Sequence, residues 1–269
     1  MKRFTQSYLT LLLFALLLVT AIGNAQDQQV TIPLSNPGEP GKLMLGMVRG
    51  GISVTGYEGS EVIIQYSSED ERDQKVTPDG LRRISGNSAG FQVQENDNKV
   101  EIGSVSPMQQ VYFRITVPRN FSVNLSLVHG SDLAVENVEG ELEISHVNGD
   151  VTLNNVSGSA SVTTVNGNIT ASFSNVYDNK PMAFSNVDGD ITVTLPARAR
   201  ISAKMKSDWG DVYTDFEMDI RRTENERVSH SDSDVFKVSV NDWIYGDING
   251  GGPEYLFKSL RGDIYIRKQ

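Results

Sequence analysis

The residues best placed by type and spacing to do chemistry are acids. Asp150, Asp190, Asp211, Asp247 and Asp263 each follow a glycine directly, and Asn168 holds the same place. Stacked along one edge of a repeating coil, they would form a row of oxygen ligands for Ca²⁺. The calcium-binding nonapeptide repeat, however, needs paired glycines and an Asp at a fixed offset in every unit. Here the paired glycines are missing, and Ser159 and Glu141 occupy the alternate corners. Tight-turn chemistry accounts for Asp and Asn at these places, because both bond their own backbone. The expectation is therefore no cofactor, with calcium the one ion worth testing. Stacked carboxylates also suggest polysaccharide cleavage, which needs two acids with displaced pKa values. No unit departs from its neighbours in a way that marks such a pair, so no catalytic residue is assigned.

Other reactive types are sparse. His129, His146 and His230 are the three histidines, and no H-x-x-H or H-E-x-x-H spacing joins them. There is no cysteine, which removes thiol catalysis and Cys-ligated metal. Arg261-Gly262-Asp263 spells a cell-adhesion tripeptide, but Gly-Asp is expected there from the repeat. Asn137, Asn155, Asn175 and Asn186 each precede a corner Val and suit amide ladders that satisfy backbone groups. Trp209, Tyr213, Trp243 and Tyr245, late in the chain, suit covering of the last coils, with a sugar-stacking surface patch as the alternative.

The elements that position these residues are set by glycine. The expected structural corners are Gly130, Gly140, Gly149, Gly158, Gly167, Gly189, Gly210, Gly246 and Gly262. Between them apolar and polar residues alternate with period two, the mark of half-buried strands. The local period is about nine, but two corner types alternate, one at residues 128–130, 147–149, 165–167, 187–189 and 208–210, the other at 138–140 and 156–158. Like follows like every 18–22 residues, so one coil is two units. The fold class expected is all-β, a single-stranded β-solenoid (β-helix) with about two short strands per 18–22-residue coil. Val138, Leu142, Ile144, Val147, Val151, Leu153, Val156, Val162, Val165 and Ile169 are the expected inward residues. An antiparallel meander with Asn-Gly hairpins would give the same nine-residue spacing. The alternation of corner types favours the coil.

Residues 1–25 read as a signal peptide: Lys2 and Arg3, an apolar run from Leu9 to Ile22, then Gly23-Asn24-Ala25 ahead of Gln26. Residues 26–269 read as one domain, with irregular early strands over 26–120, regular coils over 121–218, a charged excursion over 219–234 and closing strands over 235–269. A first charged excursion is expected over 67–90. Lys258, Arg261, Arg267 and Lys268 suit a polar cap on the last open edge. The formal charge is −10, and −12 once Lys2 and Arg3 leave with the signal. That balance disfavours nucleic acid and anionic membrane surfaces. No apolar run of spanning length follows the signal, so no membrane span is expected in the mature chain.

The run from Val111 to Ile169 resembles the bacterial DUF4097-type proteins grouped as adhesins, in which a strand ending in Leu-Pro-Lys passes into serial Gly-Asp-Ile-x-Val units. The features that carry it are Val117-Pro118-Arg119, Asn148-Gly149-Asp150-Val151, Asp188-Gly189-Asp190-Ile191 and Arg261-Gly262-Asp263-Ile264. The resemblance covers roughly residues 43–267. It implies a single-stranded β-solenoid in an exported envelope protein, and it brings no catalytic motif. The function expected is that of a non-enzymatic protein of the bacterial periplasm or cell surface, an adhesin or binding scaffold. Its partners would be a cell-surface glycan or an envelope protein. The alternatives are a carbohydrate-active enzyme (lyase or hydrolase) on the same scaffold and a structural periplasmic spacer.

Overall fold

The computed structural model describes residues 28–69, 90–103, 109–222 and 243–269. The signal segment, His230, most of the 67–90 excursion and the strand expected over 235–240 lie outside the described residues. Those residues contain no helix, and their strands are joined in one large, mostly parallel, mixed sheet that folds back on itself in a solenoid-like stack.

Its middle is regular. Strand β7 (Phe121–Glu136) is followed by β8 (Glu139–Asn148), β9 (Val151–Asn166), β10 (Ile169–Val176), β11 (Met182–Asp188) and β12 (Ile191–Leu195). All their pairings are parallel. Leu142 lies beside Val123, Ala160 beside Leu142, and Ile169 beside Val151. Ile191 lies beside Ile169. These registers are coil lengths of 19, 18, 18 and 22 residues, and the parallel pairing rules out the hairpin meander. Long strands such as β7 and β9 pass through a corner, so that one half lies in each of two facing layers, A and B. Inward residues of both layers fill a single core.

The stack does not follow the chain at its ends. Strand β2 (Gly41–Tyr57) pairs with β7 on one side, and on the other with β5 (Lys99–Gly103) in layer A and β6 (Gln110–Pro118) in layer B. The first full coil is thus interior, covered by a later one. Antiparallel strands finish this end: β4 (Gln92–Asn96) on β5, then β3 (Glu61–Glu69) on β6 and β1 (Gln28–Pro33) on β3.

The other end repeats the device. Strands β13 (Ile201–Ser207) and β14 (Val212–Thr214) form a coil, and β15 (Met218–Arg222) and β16 (Ile244–Ile248) add antiparallel strands to β13. The last coil, β17 (Glu254–Arg261) and β18 (Ile264–Lys268), then inserts between β11–β12 and β13–β14. Two expectations are corrected. The basic C-terminal segment is an interior layer and not a cap. Residues 219–222 are strand and not excursion, because β16 supplies their backbone partners.

The stacking order is fixed by matching inward residues. Phe257 lies between Phe184 and Met205, with the Phe184 and Phe257 rings stacked at 5.6 Å. Phe173 meets Phe184 edge-on at 6.1 Å. A third correction concerns phase. Val138 and Val156 are fully buried, but Val147 and Val165 point outward. At their corners the inward place is taken by the preceding residue, His146 or Thr164.

His146 is 1% exposed, and neither ring nitrogen has a hydrogen-bond partner. Its ring occupies the space that a Cβ on Gly149 would need, with Cε1 2.4 Å away. Burial pushes the His146 pKa down, against the opposing influence of the nearby Asp150 backbone and the charges of Asp132 and Asp150. The folded chain therefore binds fewer protons here than the unfolded chain. Stability is full above the unfolded value near 6.5 and falls as pH drops from there toward the lower folded value. His146→Leu, which extends the adjacent Leu127 position, is expected to remove this part of the acid sensitivity. Urea midpoints measured at pH 7.5 and 5.5 check it; an unchanged difference between the two pH values would count against it.

Candidate binding surface

The acid row predicted from sequence exists as a hydrogen-bonded spine along one corner. The Asp150 N–H donates to Asp132 Oδ1 at 3.1 Å, and the Asn168 N–H to Asp150 Oδ1 at 2.7 Å. The Asp190 N–H donates to Asn168 Oδ1 and the Asp263 N–H to Asp190 Oδ1, both at 2.8 Å. The Asp211 N–H closes the series on Asp263 Oδ1 at 2.9 Å. Each side chain but the last thus accepts a backbone donor from the next layer, a bond between coils in place of the bond to its own backbone expected from tight-turn chemistry. Asp247 stands apart in β16, bonded to Ser202 Oγ at 2.7 Å and paired with Arg221 at 2.9 Å.

Asp132 was not legible as a member. It follows its corner glycine by two residues, not one, because β7 carries a bulge between Gly130 and Leu133 where β2 advances only from Gly50 to Ile52. Among the described residues no group of three or more His, Asp or Glu is arranged to hold a metal ion. With Oδ1 atoms engaged by backbone, calcium chelation is expected to leave the melting temperature unchanged; a drop of several degrees in EDTA would contradict the spine's role.

The glycine column beside the spine is tighter still. A Cβ on Gly130 would fall 1.8 Å from the Gly50 carbonyl oxygen, one on Gly262 1.9 Å from that of Gly189, and one on Gly210 2.3 Å from that of Gly262. Gly140 and Gly158 form the equivalent contacts at the opposite corner. Gly246 is no corner: it lies mid-strand in β16, where its missing side chain admits Met218 Sδ. The Arg261-Gly262-Asp263 tripeptide is built into the stack, with Arg261 paired to Asp188 at 3.0 Å. Asn137 and Asn155 both adopt positive φ, and Asn155 Nδ2 donates to Asn137 Oδ1 at 2.6 Å. Asn175 accepts from Arg198 at 3.5 Å, and Asn186 is buried on the Gly189 carbonyl at 2.6 Å. His129 Nδ1 accepts from Asn148 at 2.8 Å on the surface.

The aromatic patch divides between two faces. Trp243 lies under Lys204 Nζ at 5.0 Å, and Tyr245 is aligned between Lys204 and Arg221, all outside layer A. Tyr213 is outside layer B, stacked on Tyr265 at 5.1 Å with 12° between the rings. Tyr265 was missed by sequence reading, yet it holds in β18 the place Tyr213 holds in β14. Asp211 raises the Tyr213 pKa by its charge, and the Tyr265 hydroxyl, donating to Asp263 Oδ2 at 3.0 Å, is raised by that bond. Trp209, 81% exposed, stands at the adjoining corner. Strand β14 pairs on one side only among the described residues, so one face of Tyr213 is bare.

From Tyr213 a single outward row crosses layer B. Tyr265, Thr192, Thr170 and Thr152 follow in register. Ala134, Ser53, Arg114 and Gln65 continue it to the far end. There the row enters a groove of about 200 Å³ that Tyr112, Arg114 and Asp132 line over Gly51 and Ser131. A Cβ on Gly51 would sit 3.0 Å from the Tyr112 ring and 2.2 Å from Ser131 Oγ.

Layer A has a second groove with Glu141, Glu143, Glu254, Lys42 and Lys180. Glu141 is paired with Lys180, whose hydrogen bond and charge hold it below the usual carboxylate range. A depressed acid suits an ion pair and not a proton donor to a glycosidic oxygen.

A family model described as Toastrack DUF4097 matches residues 19–249. Among solved structures, a candidate cell adhesion protein from Clostridium sporogenes is 17% identical, with 91% of this chain and 100% of that chain covered and a TM-score of 0.48. A candidate adhesin from Bacteroides fragilis is 13% identical, with 91% and 98% covered and a TM-score of 0.29. Another from Parabacteroides merdae is 10% identical, with 92% and 98% covered and a TM-score of 0.25. No curated protein matches the chain.

Proposed function

This chain belongs to the DUF4097 Toastrack family, and from that premise we propose that it is an exported, non-enzymatic binding scaffold of the adhesin type. One observation carries the reading: of the acids that resemble catalytic or metal-binding residues, Asp150, Asp190 and Asp263 are engaged by backbone donors from layer to layer and Asp247 by Ser202 and Arg221, so what the chain offers a partner is a long, rigid outer face. We read the fold as one single-stranded β-solenoid domain over residues 26–269, delivered to the periplasm or cell surface by the signal peptide at 1–25. Contact area in such a stack grows with the number of coils while each coil stays locally held. The partner is a cell-surface glycan or an envelope protein.

The purified protein on a glycan array, with and without calcium, tests this. Retained binding with no released oligosaccharide is the expected result. Product release would favour a carbohydrate-active enzyme, and an array and envelope-protein panel without any ligand would leave the spacer alternative. The N-terminal residue of the exported protein is expected to be Gln26, read by mass spectrometry.

A further inference from the structure

The outer row of layer B joins two features that a linear ligand would use together. At one end the bare face of Tyr213, backed by Tyr265, offers a ring-sized platform. At the other the groove beside Arg114 has Tyr112 as its wall and Gly51 as a floor that any side chain would fill. Between them stand Thr152, Thr170 and Thr192, three hydroxyls in register on adjacent strands. The row is neutral apart from Arg114. The spine flanks it with carboxylates whose Oδ1 atoms are taken by backbone donors and whose charge repels anions. Aromatic faces and hydroxyls together match the C–H faces and O–H groups of neutral sugars. A protein partner would instead need an apolar centre, and this row has only Ala134.

We propose that the ligand is a linear, neutral polysaccharide lying along this row, across the strands, anchored at the Tyr213–Tyr265 end and in the Tyr112–Arg114 groove. From Arg114 to Tyr213 the row takes seven strand spacings, roughly 34 Å, so only a chain of several sugar units reaches both anchors. The assignment rests on the scaffold reading above and narrows its partner to one chemistry and one face.

Titration calorimetry on the full chain with cello-, chito- and malto-oligosaccharides, from disaccharide to decasaccharide, tests it. In the series that binds, affinity is expected to rise by at least about tenfold with length and then level off, as two linked contacts require. Tyr213→Ala/Tyr265→Ala and, separately, Tyr112→Ala are each expected to weaken the longest oligomer about tenfold, while the disaccharide loses far less. Circular dichroism and melting temperature confirm that the variants are folded; Tyr213→Ala alone, at a half-exposed edge residue, serves if the double variant is not. Affinity independent of length, or an effect confined to one end, overturns the polymer assignment and leaves the scaffold reading standing. No binding by any of the three series overturns the neutral-glycan assignment, whereas hydrolysis of a bound oligomer overturns the scaffold reading itself.

Discussion

Gly167→Ala is expected to lose roughly 4 kcal/mol of stability or to fail to accumulate as folded protein. Two costs combine. Gly167 has φ of +149°, which L side chains rarely adopt, and the added Cβ would sit 2.1 Å from the Gly149 carbonyl oxygen. That oxygen belongs to backbone held between two layers, so neither partner can move without separating a strand pair. Gly189 in turn stands over the Gly167 carbonyl, where an added Cβ would fall 2.5 Å from the oxygen, so a displacement of Gly167 spreads to a second close approach. Gly38→Ala isolates the conformational part. Gly38 also has positive φ, +92°, but a Cβ there meets nothing within 4 Å. Its cost should stay near 1 kcal/mol, the ordinary left-handed penalty. Urea denaturation of both variants measures the difference. Equal losses would mean that backbone conformation, and not close approach of the layers, fixes glycine at the corners.

The same corner shows what a sequence can and cannot say about this fold. Gly149-Asp150, Gly167-Asn168 and Gly189-Asp190 carry the local geometry in adjacent residues, so the coil length and most of the spine could be read directly. Asp132 could not, because one inserted residue at Ser131 shifts it out of the pattern while the bulge brings it back into the row. The outward Val147 and Val165 were misplaced because an apolar residue beside a turn satisfies either phase of a strand; burial of His146, a polar residue, decides it. The order of the layers was least legible. Every corner bears nearly the same motif, so any coil can stack on any other by backbone and glycine alone. The choice is made by inward side chains far apart in the chain, Phe184 with Phe257 and Met205 with Phe257. Likewise Tyr213 and Tyr265 come together only because of that order, so half of the aromatic platform was invisible until the layers were placed.

Removing residues 250–269 is expected to be more damaging than removing residues 196–269. In a stack that followed the chain, the shorter deletion would uncover one edge and the longer one would cost further coils. Here β17 and β18 are the layer that joins β13 and β14 to the rest. Without them β13 loses its parallel partner, and β16 and β15, which pair through β13, have no path to the main core among the described residues. Ile201, Met205 and Ile248, all buried in the intact chain, would then face solvent in a detached three-strand fragment. A fragment with open strand edges and an uncovered apolar face is prone to edge pairing and association. The longer deletion instead ends the chain at Leu195 and leaves β11 and β12 as ordinary open edges of a continuous core. Size-exclusion chromatography and urea unfolding of the two truncations check this. The 1–249 chain should be the more aggregated and less cooperative. A monomeric 1–249 chain at least as stable as the 1–195 chain would show that the threaded layer is dispensable, and that β13 finds its place on β11 directly.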